Sequence, residues 1–317
     1  MVDYANPTPN LKRRKWGDKE MLDHPAVIAV AIPMGVSVIA VLLSRTFGRQ
    51  ALATHILSVG GLAGFLAAYV MLVGWPDAMP RTATQKLGYI ALAGLFAGFL
   101  LDLAENAVRG LRWVVLLPAA SIMWIAFPTV MRLVSDDSRG IMEWAFIAVV
   151  VALALVVLVR LSGADRPGRD GRLSRSDDSM RDGRLAQLVA AAFGLGGVCI
   201  LGSAASLGLL AFAVGAVGAG AAIWNLGGPR ARIGAGLVLG LGAVVVALAV
   251  QAVLFTTVAP VALILLSGCF FTDLMPFCRP LATPEKGYRI FASAPPYMLA
   301  VLAVAVAFLL GGMSGGY

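Results

Sequence analysis

Charge is scarce in this chain. Asp, Glu, Lys and Arg make up 13% of its 317 residues, while 59% are hydrophobic. Soluble domains carry about 25% charged and 45–50% apolar residues. So few charges cannot clothe so apolar a chain in water, and a soluble globular domain is excluded.

Histidine and cysteine are scarcer still. The two histidines, His24 and His55, lie before the first apolar segment and at the start of the second. No two segments can therefore supply bis-histidine haem ligation. Cys199, Cys269 and Cys278 lack metal-ligand spacing. No lysine stands mid-segment, which removes a retinal Schiff base. No Walker motif and no G-x-S-x-G elbow occurs. The glycines of "GLGGVCILGSAASLG" belong to an apolar run, not a phosphate loop. The adjacent acids Asp136–Asp137 and Asp177–Asp178 lack the partner acids or histidines of a metal–diphosphate site. No cofactor and no metal site is expected, and an enzyme ranks below the other functional classes.

What the chain does have is long apolar runs. A helix needs about 20 apolar residues to cross about 30 Å of hydrocarbon. Ten segments qualify or nearly do: 25–44, 51–74, 87–105, 111–131, 141–160, 186–205, 207–226, 233–254, 256–274 and 294–312. A transmembrane barrel would alternate apolar and polar residues, whereas "WAFIAVVVALALVVLV" from Trp144 to Val159 is apolar on every side. The expectation is an all-α, polytopic transmembrane bundle of about ten spans. Nine is the alternative, because segments six and seven nearly fuse around Ser206–Gly208.

This divides the chain into a polar tail (1–24), a first half (25–161), a charged loop (162–184) and a second half (185–317). The tail is polar, and the apolar run behind it is too long for a signal peptide's core, so it reads as uncleaved. The loop carries six Arg and five Asp, repeats "RDGRL" at Arg169 and Arg181, and reads as a solvated linker. Its arginines could instead meet anionic headgroups, but the aspartates offset them. With five spans between them, tail and loop face opposite sides. Nine basic residues fall on the tail's side and sixteen on the loop's. The excess puts the loop in the cytoplasm, although it also exports "KRRK". Arginine supplies 20 of the 25 basic residues, a composition that suits a GC-rich bacterium and its inner membrane.

Five spans per half suggest an inverted repeat. Laying "LGYIALAGLFAGFLLDLAENAV" on "IGAGLVLGLGAVVVALAVQAVL" pairs Gly88 with Gly234, Gly94 with Gly240, and Glu105 with Gln251. With 36 glycines in the chain, chance is the competing explanation. In length, span number and glycine-rich halves the chain resembles the drug/metabolite transporter superfamily in architecture, and no motif of that group occurs.

Candidate polar sites are few. Asp102, Glu105, Asn106 and Arg109 share one face of the third helix. Ionisable groups within a span mark ion or substrate paths, so Asp102 or Glu105 could take up a proton. The plainer alternative is an interfacial Glu105–Arg109 pair at the helix end. Asp273 follows a dense apolar run and precedes Pro276. It either ends a span or marks an interrupted helix whose carbonyls could ligate ions. Gln251 and Asn225 read as helix–helix fasteners before ligands. Trp75, Trp113, Glu143, Trp144 and Tyr297 read as interfacial anchors. The pairs Gly60–Gly64, Gly94–Gly98 and Gly236–Gly240 form G-x-x-x-G, which lets helices approach closely.

Two functions follow. A small-solute permease or secondary transporter would use Asp102, Glu105, Asn106, Asp273 and Gln251 as its lining. A non-catalytic scaffold, assembly factor or accessory subunit would hold other membrane proteins or a second copy. The bilayer is the expected environment, and no nucleic-acid partner is expected. A polar cavity reaching the midplane would favour the permease; a solid bundle with Asp102 and Asp273 at headgroup depth would favour the scaffold.

Overall fold

The computed structural model describes residues 24–46, 50–104, 116–135, 141–162, 175–226, 233–274 and 294–314. Every regular element among them is helical: α1 (Pro25–Thr46), α2 (Gln50–Val73), α3 (Leu87–Ala104), α4 (Leu116–Ser135), α5 (Ile141–Ser162), α6 (Arg175–Leu201), α7 (Ala205–Leu226), α8 (Ala235–Phe255), α9 (Pro260–Ser267) and α10 (Ala294–Ser314). A 3₁₀ turn, Gly268–Leu274, continues α9. Six of these helices, α1, α2, α5, α6, α7 and α8, are long and apolar enough to cross a bilayer. The apolar parts of α3, α4, α9 with its 3₁₀ turn, and α10 are shorter. The fold is a helical membrane bundle.

Several boundaries depart from the sequence expectation: α4 runs on to Ser135 and α6 stops at Leu201, each four residues from the expected end. Helix α6 starts at Arg175, inside the segment read as linker. Its opening residues include Asp177 and Asp178, and acids favour a helix N-terminus. The ninth segment opens four residues late, at Pro260, whose fixed φ suits a first helical turn. It then tightens to 3₁₀ geometry at Gly268.

The break between segments six and seven is a real turn. The Ser203 N–H donates to the Ile200 carbonyl and the Ala204 N–H to the Cys199 carbonyl, the bonding pattern of a Schellman cap. Ser203 holds φ 60° at its left-handed position. A side chain there is strained by about 1–2 kcal/mol. Ser203→Gly is therefore expected to raise stability by about 1 kcal/mol, read as a higher melting temperature in detergent.

Helix α8 is the axis of the bundle. Apart from Gln251 its residues are apolar all round, the pattern of a fully buried helix. Inside the protein 83% of its apolar stretch is buried, against 17% for α5. It packs against α2 through α7 and α9. Its closest partner is α3, and the two cross antiparallel at their G-x-x-x-G motifs. A β-carbon added to Gly94 would lie 2.6 Å from the Leu239 carbonyl oxygen and 2.9 Å from Gly240 Cα. One added to Gly98 would strike Gly236 Cα. On the other side, Gly60 meets Ala40, and a β-carbon on Gly64 would lie 2.9 Å from the Pro33 carbonyl oxygen, seating α2 on α1. Ser37 of α1 donates to the Val217 carbonyl of α7 at 2.9 Å.

One fastener compensates for a proline. Pro128 lies within α4 and has no N–H for the carbonyl four residues before it, that of Trp124. The Lys86 ammonium donates to that carbonyl at 3.0 Å and stands 4.8 Å from the Trp124 ring centroid. Lys86 is 6% exposed, and loss of hydration lowers its pKa from the ordinary lysine value. Lys86→Met should cost about 1–3 kcal/mol by orphaning the carbonyl. In a Pro128→Ala background, which restores the helical donor, the same change should cost measurably less. A double-mutant cycle on thermal unfolding checks this.

Candidate functional site

Polar side chains gather at the two ends of α8. At its N-terminal end the helix has no cap of its own. Gly234 holds the N-cap position in extended conformation and offers no side chain to the free N–H groups. The carboxylate of Asp102, near the end of α3, takes that role. Its Oδ1 accepts from the Ala235 N–H at 3.0 Å and its Oδ2 from the Gly236 N–H at 3.3 Å. A negative group at a helix N-terminus is also favoured by the helix dipole. Gly234 must be glycine for this approach. A β-carbon there would lie 2.8 Å from Asp102 Oδ2, 2.7 Å from Thr54 Cγ2 and 2.9 Å from Ser58 Oγ. Ser58 donates to the Thr54 carbonyl. Nearby on α2 the His55 ring leans on Phe99, with centroids 4.9 Å apart, and its buried Nδ1 makes no hydrogen bond.

At the C-terminal end of α8, Gln251 is 2% exposed. Its Nε2 donates to the Ala83 carbonyl at 2.9 Å, tying α8 to the α2–α3 connection. That connection is itself ordered by polar bonds. Tyr69 Oη donates to the Thr84 and Gln85 carbonyls, Gln85 Nε2 to Asp77, and Tyr89 Oη to the Asp77 carbonyl. Beside Gln251 lies an open pocket of about 490 Å³, floored by the α6–α7 turn and the end of α8.

A third polar group ties α5, α6 and the α9 extension. Arg160 Nε donates to the Phe270 carbonyl at 3.1 Å and stacks on Phe271. Gln187 Nε2 donates to Thr272 Oγ1 at 3.2 Å. In the interrupted helix, then, the Phe270 carbonyl already has a cationic partner.

The structure thus places Asp102 and Gln251 at opposite ends of one helix and does not bring them together. Asp273 lies in the 3₁₀ turn, and its side chain is outside the described residues. Glu105, Asn106 and Arg109 also lie outside them. Among the described residues, no group of three or more His, Cys, Asp or Glu side chains is placed to hold a metal. Sequence reasoning missed Lys86, Thr54, Ser58, Ser203 and Arg160. Two signals were available: a helix opening on Gly234 lacks its own cap, and Pro128 leaves a carbonyl unmet. No protein-family model matches the chain, and no curated protein sequence matches it.

Proposed function

We infer that the chain is a non-catalytic scaffold, assembly factor or accessory subunit in a bacterial inner membrane, with residues 162–184 in the cytoplasm. The observation that carries this reading is the Asp102 joint. The permease reading gave this acid to a proton path, yet both its oxygens are engaged by backbone N–H groups of α8. Those two bonds make the carboxylate a structural link between α3 and α8. Gln251 and Lys86 support the same reading, since each fastens one element to another. Below the outer pocket, α3 and α8 close on each other at glycine backbone.

Mild-detergent extracts separated on native gels test it. The protein should migrate in a defined complex larger than its 33.0 kDa monomer, and its deletion should destabilise that partner. A monomer whose proteoliposomes carry a solute-driven or proton flux, abolished by Asp102→Asn without loss of melting temperature, would overturn the proposal.

One observation favours a small-solute permease as the second reading. The α3–α8 crossing puts Gly94 against Gly240, the pair that the five-plus-five overlay aligns, a contact that an inverted repeat would allow if its in-plane axis passed through this crossing.

A further inference from the structure

We propose that the pocket beside Gln251 binds a neutral polyhydroxyl group, such as a sugar or inositol ring. Among the described residues its lining holds no charged side chain. An ion would leave its charge uncompensated there, whereas a polyol supplies matched donors and acceptors. The polar groups are Thr84, Ser203, Ser206, Gln251, Thr256 and Thr257.

Gln251 is the decisive one. It is 98% enclosed yet spends only its Nε2, on the Ala83 carbonyl, and its Oε1 makes no hydrogen bond among the described residues. That oxygen is not sealed off by the protein and stays open to the pocket, so a hydroxyl entering there would meet an amide acceptor. The hydroxyls of Ser203 and Ser206, both exposed at the mouth, stand on the α6–α7 turn. Phe255, 49% exposed, offers a flat apolar face to the C–H side of a ring. A volume of about 490 Å³ falls in the range of small-molecule sites.

Gln251 stands four residues before the end of α8, about 6 Å of helical rise. At that depth the same chemistry could come from a free polyol in water or from the headgroup of a neutral glycolipid. The inference holds whether the protein is a scaffold or a permease.

The test is labelling of Ser206→Cys by a membrane-impermeant maleimide, in proteoliposomes of the full chain carrying Cys278→Ser. Cys199 and Cys269 are buried and should not compete. One arm adds millimolar myo-inositol or trehalose to phosphatidylcholine vesicles. The other replaces part of the phosphatidylcholine with digalactosyl diacylglycerol and adds nothing soluble. Choline and glutamate serve as charged controls. Protection scales as 1 + [L]/Kd, so a probe at twice its Kd slows labelling about threefold. Protection is expected in at least one arm, and which arm responds identifies the source. Gln251→Met should abolish it. Because Gln251 also fastens Ala83, Ser203→Gly provides a second variant that removes a lining hydroxyl while relieving backbone strain, and it should weaken protection. The proposal fails if neither arm protects, if a charged control protects as well as the polyols, or if both variants protect like the parent.

Discussion

Gly98→Val should be among the most damaging single substitutions in the bundle. Any β-carbon at this position meets Gly236 Cα and lies 2.5 Å from the Ala235 carbonyl oxygen, so what must yield is backbone. Overpacking a core ordinarily costs about 1–3 kcal/mol because side chains can shift. Here α3 must move off α8, which would also draw Asp102 away from the N-terminus it holds. The expected loss exceeds about 3 kcal/mol and shows as failure to accumulate in the membrane. Gly35→Ala is the contrasting case. A β-carbon there meets nothing within 4 Å, and removing a helical glycine should stabilise α1 by up to about 1 kcal/mol. If Gly98→Val and Gly35→Ala give equal yields and melting temperatures, the α3–α8 crossing is wrong.

The second large effect is expected at Asp102. Hydrogen bonds to charged groups are worth about 1.5–3 kcal/mol each. Asp102→Ala removes two acceptors and leaves two N–H groups facing Thr54 and Ser58, so the loss should be on the order of 3 kcal/mol. Asp102→Asn keeps one acceptor and turns an amide N–H₂ toward the other donor, so it should fall between. Melting temperature alone would not identify the cause. Hydrogen exchange would: the amides of Ala235 and Gly236 should exchange faster in Asp102→Ala while those of α1 remain protected. Unchanged protection at both amides would remove Asp102 from this role.

These two sites show what the sequence could and could not disclose. The helices were legible because a bilayer demands about 20 apolar residues in a row, and such runs announce themselves without tertiary information. The α6–α7 turn was partly legible: small residues signalled a break, but around Ser206–Gly208, whereas the turn falls at residues 202–204, with α7 already begun at Ala205. The start of α6 was not, because acids and arginines suit a solvated loop and a solvated helix alike. The glycine motifs marked surfaces for close approach but not their partners: Gly98 carries no sign that it meets Gly236 rather than a neighbouring chain. Asp102 was visible as an oddity in an apolar run. Its partners were invisible because they are backbone N–H groups, which every residue but proline possesses. Gln251 was read as a fastener, and the Ala83 carbonyl could not be named for the same reason.

The Asp102 joint also sets a timetable for biosynthesis. Asp102 and the amide it holds are 133 residues apart in the chain. At about 5–20 residues per second, α8 leaves the ribosome roughly 7 to 27 s after α3. Throughout that interval α3 must wait with its carboxylate uncapped and its glycine groove open to whatever surrounds the nascent chain. A faster-translating synonymous gene shortens that exposure, and a stalled ribosome between α5 and α8 prolongs it.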